Sequence, residues 1–276
     1  MSDALLNARQ LKDRAQQWCI DLVGIAPVER FEALDAEENP KSINPHTKSV
    51  IVLGFQIPRG SLRGAEEGTA WHTMTAGSPV HPMIMVELTY LVCRWLETQG
   101  WEATPLFAYP KEMKNQGVKV SLDRPAPDVI VNLEYAAHAA GLGHMGLGKF
   151  FLTRQFGARQ IFCAILTDAK ADQYDTVSTD VVCDECGECL QACPFGAYSK
   201  ERMTTAPLCE GEAAWRTLRT EQCLACGTGK VPNPYLPTAE PWRVGAACGR
   251  ACVAHLEDQG KLARRFVHAF RESVRQ

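Results

Sequence analysis

The chain has 276 residues, 46% of them hydrophobic and 22% charged, with a formal net charge of −3. That composition excludes a disordered chain, which needs low hydrophobicity, and gives no general field for nucleic acid, which needs positive charge. The opening residues, MSDALLNARQLKDRAQQW, hold neither an uncharged apolar stretch nor a twin-arginine pair, and the most apolar region, Met83 to Trp95, is interrupted by Glu87 and Arg94. A soluble cytoplasmic protein with no membrane span is the expectation.

Residues 4–19 place Leu5, Ala8, Leu11, Ala15 and Cys19 near one helical face, and the strand-like Leu22-Val23-Gly24-Ile25-Ala26 follows. Ser49 to Phe55 predicts a central strand. Pro79 and Pro82 introduce a long apolar segment running to about Thr98, expected as a buried helix stopped by Gly100. Trp101 to Phe107 predicts a strand, 128–140 a helix, and Gln160 to Thr167 another strand. Alternating helices and strands make this part α/β or α+β around one sheet. A polar stretch from Asp168 to Gln173 marks a boundary near residue 175, giving units of 1–175 and 176–276. Residues 258–275 predict a solvated terminal helix.

Twelve cysteines in a chain without an export signal favour metal or redox chemistry over disulfides, and nine of them fall between Cys183 and Cys252. The run Cys183-x2-Cys186-x2-Cys189-x3-Cys193-Pro194 matches the bacterial ferredoxin pattern, in which three close thiolates serve one cube and the fourth cysteine serves another. A four-cysteine zinc site would use two separated knuckles instead. The second arm is Cys223-x2-Cys226 followed by Cys248-x3-Cys252. Crossing between arms assigns Cys183, Cys186, Cys189 and Cys252 to one [4Fe–4S] cluster, and Cys193, Cys223, Cys226 and Cys248 to a second. Cys209 lies between the arms as an alternative to Cys223. Cys19, Cys93 and Cys163 sit in apolar settings and are expected to be buried without chemistry.

Gly141-x-Gly143-x-x-Gly146 has the letters of a dinucleotide fingerprint, but it follows the helix-like Leu133 to Ala140 where that motif requires a strand. Two readings stay open: a turn that ends the helix, or a loop that lets backbone approach a large cofactor.

Taken in order, Leu22 to Ala26, the Ala139-Ala140-Gly141-Leu142-Gly143-His144-Met145-Gly146 turn, Leu152 to Gln160, Ala164 to Asp168 and the ferredoxin run resemble the superfamily of epoxyqueuosine reductases and corrinoid reductive dehalogenases. The resemblance implies an α+β chain with a nitroreductase-like N-terminal domain that can hold cobalamin, followed by a bacterial ferredoxin-like two-cluster module. It implies an iron–sulfur oxidoreductase in which electrons pass through the clusters to the cofactor, supplied by a low-potential donor such as a ferredoxin or flavodoxin. The substrate class is a small molecule or a modified nucleoside. Asp128 falls within a residue of the family's proton-donor position, with helix N-cap as its ordinary role, and Tyr135 and His138 are further candidates to face a cavity. Gly141, Gly143, His144, Met145, Gly146 and Arg159 are the expected cofactor contacts, and His72 falls on the substrate side.

Leu147 stands where the family's turn carries lysine, the family's Asp-Ser-Ala-Pro segment has no clean match, and no helical-repeat extension follows Cys252. An electron-transfer or activating protein that serves a partner without cobalamin is therefore the alternative. Clusters acting only as structural staples are a third reading.

Overall fold

The computed structural model describes residues 4–77, 82–113 and 117–271. Helix α1 (Ala8–Gln17) starts at Asn7, whose side chain accepts from the Gln10 amide, and buries Ala8, Leu11 and Ala15. Strand β1 (Leu22–Pro27), a 3-10 turn (Val28–Phe31), α2 (Pro40–Ile43), β2 (Ser49–Gln56), α3 (Gly60–Glu66), α4 (His72–Gly77), α5 (Pro82–Glu97) and β3 (Ala103–Leu106) come next. They are followed by α6 (Leu133–Ala139), β4 (His144–Met145), β5 (Phe151–Leu152) and β6 (Gln160–Thr167). The cysteine-rich part holds α7 (Glu188–Gln191), β7 (Tyr198–Pro207), β8 (Glu212–Leu218), α8 (Thr220–Leu224) and α9 (Ala247–Asp258).

The main sheet has the order β1-β2-β6-β3 with every pairing antiparallel. Its two central strands are apolar and buried almost throughout, because both faces are covered. Ile51, Leu53, Phe55, Cys163 and Ile165 point to the face that packs against α1 and α5. Val50, Val52, Phe162, Ala164 and Leu166 point to the other face, under α6. Each fully buried aliphatic side chain of this kind contributes roughly 1.5–3 kcal/mol.

Several expectations are corrected. The helix expected over 128–140 starts only at Leu133, because Asn132 caps it by accepting from the Glu134 and Tyr135 amides, so Asp128 is not the cap. Replacing Asn132 with alanine is expected to lower stability by about 1 kcal/mol in a denaturant titration. Cys19 follows the end of α1 with φ 61 and is exposed, not buried. The expected buried helix is α5, yet Met83, Ile84 and Tyr90 are 68%, 51% and 60% exposed while Val92 and Leu96 are buried. Pro79 lies outside the described residues.

The terminal helix expected over 258–275 is absent from its described part, since α9 stops at Asp258 and Gly260 takes φ 64. There the Gly260 amide donates to Glu257 O and the Lys261 amide to Leu256 O, the paired bonds that close a helix through a left-handed glycine. The following segment runs irregularly over α3, where Arg63 donates to Phe270 O and Phe270 is buried. Among the described residues no helix is long and apolar enough to cross a membrane.

Candidate functional site

Gly141 takes φ 74 after α6, its amide donating to His138 O while the Leu142 amide donates to Ala137 O. The same glycine-closed helix end therefore explains the start of the turn, and no helix opens after it, which removes the dinucleotide reading. The remaining glycines let backbone pass close to other protein atoms. A Cβ on Gly143 would stand 2.0 Å from Leu152 O, one on Gly146 3.3 Å from Cys183 Sγ, and one on Gly148 2.6 Å from Cys189 Sγ. Gly141, Gly143 and Gly146 thus have their open side filled by protein, and the turn's partner is the first cysteine set. Leu147 N–H points to Cys183 Sγ at 3.5 Å.

The cysteines converge in two groups. Cys183, Cys186, Cys189 and Cys252 line one small pocket together with Asp184, Glu185 and His255. Cys193, Cys223, Cys226 and Cys248 line a second with Tyr198, Lys230 and Arg243. Glu185 at φ 57 and Gly187 at φ 79 turn the first arm about its pocket, and α7 then presents Cys189 inward. Cys209 stands apart, at the tip of the β7–β8 hairpin against the α6 side of the sheet.

Cys189, Cys223 and Cys252 resist ionisation without a metal. Burial, with Cys183, Cys248 and Cys186 nearby, pushes Cys189 up to about 12. Burial likewise raises Cys223 to about 12. A bound cation cluster reverses this balance by stabilising thiolates. Spacing separates the metals: a tetrahedral zinc site with bonds of about 2.3 Å needs sulfurs about 3.8 Å apart. Among the described residues the one group of three ligand atoms mutually within 4.8 Å is Asp184, Cys186 and His255, so neither thiol foursome is gathered tightly enough for a single zinc. The donor set suits a larger iron–sulfur cube at each position.

Beside the second pocket is a smaller cavity of about 190 Å³ walled by Phe107, Glu134, Lys149, Glu240 and Arg243. Phe107 also lines a larger cavity of about 810 Å³, whose wall includes Tyr109, Lys119, Arg124 and Asp128. Arg243 borders both the small cavity and the second cysteine pocket. Its guanidinium donates to Glu240 (3.0 Å), Tyr198 Oη (2.7 Å), Gly148 O (3.2 Å) and Lys149 O (2.7 Å). Lys149 closes on the other oxygen of Glu240 at 2.5 Å. Burial alone would raise the Glu240 carboxyl, but Arg243 and Lys149 outweigh it and hold it below its ordinary value. Burial pushes Glu134 above its ordinary value against the pull of Lys149.

The expected site residues divide on this geometry. Asp128 lies on the wall of the large cavity. Tyr135 lines neither cavity: it is buried on Phe31, and its hydroxyl donates to Arg30 O at 2.7 Å. Its neighbour Glu134 faces the cavity instead. Arg159 is fully buried with one nitrogen on Ile57 O, and burial lowers it to about 10, so it too is placed away from both cavity walls. His138 and His144 stack edge-on at 5.0 Å, with the His138 Nδ1 on Gly143 O, and neither Nε2 has a hydrogen-bond partner among the described residues. Met145 is half-buried in β4, and His72 is exposed at the start of α4. Glu134, Lys149, Glu240 and Arg243 escaped the sequence reading because no motif joins them.

Solved structures overlay this architecture. A catabolic reductive dehalogenase bound to 3-bromo-4-hydroxybenzoic acid matches over 93% of this chain and 32% of its own, with a TM-score of 0.57 and 19% identity. A selenomethionine-labelled epoxyqueuosine reductase matches over 78% and 56%, at TM-score 0.52 and 14% identity. The fold is the one these reductases share. Another dehalogenase, whose structure suggests a mechanism for B12-dependent dehalogenation, matches over 77% of this chain and 28% of its own at TM-score 0.53 and 19% identity. This chain therefore spans about half the length of the epoxyqueuosine reductase and a third of the dehalogenase. No protein-family model matches the sequence, and no curated protein does.

Proposed function

We propose that this chain is an iron–sulfur oxidoreductase that carries out a cobalamin-dependent reduction, with a nitroreductase-like unit beside a ferredoxin-like two-cluster module. Cys183, Cys186, Cys189 and Cys252 hold one [4Fe–4S] cluster, and Cys193, Cys223, Cys226 and Cys248 hold the other. The observation that carries the reading is that the second cysteine pocket and a cavity share a wall at Arg243. When bound, the clusters supply single electrons from a low-potential ferredoxin or flavodoxin, and cobalamin supplies the reducing centre at the substrate.

The walls of the two cavities hold the cofactor and a small-molecule or modified-nucleoside substrate. The apolar side chains Leu106, Phe107, Val129 and Ile130 exclude water there, while Lys119 and Arg124 offer charge to a polar group. Asp128 gives a proton at the wall of the larger cavity. Glu134, whose carboxyl burial pushes above its ordinary value, stands at the wall of the smaller cavity as a second proton donor.

The experiment is addition of the anaerobically prepared, iron-loaded chain to free cobalamin. A shift of the cobalamin visible spectrum that follows the protein concentration is expected. An unperturbed spectrum would remove the cobalamin reading and favour an electron carrier for a partner, a role consistent with the exposed Met83, Ile84 and Tyr90 on α5.

A further inference from the structure

Each foursome of cysteines meets a different electrostatic wall. The first is lined by Asp184, Glu185 and His255. The second is lined by Lys230 and Arg243 and by no carboxylate. Reduction of a four-iron cluster adds one negative charge, which a fixed cation favours and a fixed anion opposes. We infer that Arg243 is a positioning residue that makes the second cluster the one with the higher reduction potential, so that an electron comes to rest beside the cavity. This rests on reading the eight cysteines as two cubes.

The asymmetry does not come from hydrogen bonds to sulfur alone. The first site has Leu147 N–H on Cys183 at 3.5 Å and the Glu188 N–H on Cys186, and the second has Ala197 N–H on Cys193 at 3.3 Å and Thr228 Oγ1 3.0 Å from Cys226 Sγ. Burial separates the sites. The carboxylates of Asp184 and Glu185 are on exposed residues, where water and salt screen them, and Asp184 is further countered by Lys261 at 3.1 Å and hydrogen-bonded to His255 Nε2 at 2.8 Å. The Arg243 side chain is 5% exposed, in a low-dielectric setting where its charge reaches further. Glu240 offsets part of that charge, but Lys149 shares the same carboxylate, so cations outnumber it. Tyr198 lies between the two pockets, its hydroxyl accepting from Arg243 and donating to Gly148 O, which fixes the guanidinium in place.

In the reaction, a low-potential one-electron donor is oxidised as one cluster goes from its oxidised to its singly reduced form, and no bond is made or broken. The energetic preference then lies in where the electron resides. Arg243 also ties the glycine turn to the second arm, so loss of iron or stability in a variant would say nothing about this role. The potential is the readout that a purely structural role would not shift at one cluster alone.

The test is an anaerobic redox titration, followed by electron paramagnetic resonance, of full-length protein carrying about eight irons, the content two cubes require. The signal abolished by Cys193→Ser is expected to be the one with the higher midpoint. Arg243→Gln should lower that midpoint by about 59 mV or more, tenfold in the one-electron equilibrium, and leave the other in place. Arg243→Lys should restore most of it. Glu240→Gln removes a countercharge and should move the same midpoint upward, which keeps the test alive if Arg243→Gln does not fold. A higher-midpoint signal that survives Cys193→Ser, or variants that move both midpoints alike or neither, would overturn the inference. An iron content far below eight would instead defeat the two-cube reading beneath it.

Discussion

Replacing Cys193 with serine is expected to halve the iron content, from about eight per chain to about four, and to remove the signal of the second cluster while the first remains. Cys193 belongs in sequence to the first arm, so a model in which each arm serves its own cluster predicts the opposite loss. In the fold, Cys193 stands with Cys223, Cys226 and Cys248, and Cys252 from the second arm stands with Cys183, Cys186 and Cys189. Helix α9 makes the exchange possible, because Cys248 and Cys252 lie four residues apart on one helix, about one turn, and reach separate pockets. The check is iron analysis together with the low-temperature resonance spectrum of the reduced variant. Loss of the first signal with retention of the second would reverse the assignment.

Replacing Gly148 with alanine is expected to strip the first cluster and spare the second. A Cβ there would stand 2.6 Å from Cys189 Sγ and 3.3 Å from both Cys189 Cβ and Phe150 Cδ2. The sulfur cannot retreat cheaply, since Cys189 is buried in the same apolar cluster as Phe150. Overpacking of this kind costs about 1–3 kcal/mol, and it falls here on a ligand atom. Gly60→Ala is the matched control, with nothing within 4 Å of the added carbon. Iron content and thermal unfolding of the two variants decide it: equal iron in both would show that the turn does not shape the first site.

The legible parts of the sequence are those where burial writes a period. β2 and β6 are near-continuous apolar runs because both faces of the sheet are covered, and α1 shows its stripe of Ala8, Leu11 and Ala15. The cysteines were legible for a different reason, since ligand geometry imposes a spacing of its own. The β7–β8 hairpin was not, because Lys200, Glu201 and Arg202 lie in a largely exposed ribbon with no apolar alternation to betray it. On α6 the question was one of rotation. Neighbouring helical residues point about 100° apart, so the cap at Asn132 decides that Glu134 meets the cavity and Tyr135 the core. Arg243 and Glu240 come from an irregular segment far in sequence from Lys149, and only the folded chain brings these charges together.

The central claim, a two-cluster protein holding a corrinoid, is tested most directly by the iron and cobalt content of chain produced anaerobically with cobalamin supplied. About eight irons and one cobalt per chain are predicted, as two cubes and one corrinoid require. One zinc or a few irons per chain, with no cobalt retained, would contradict it.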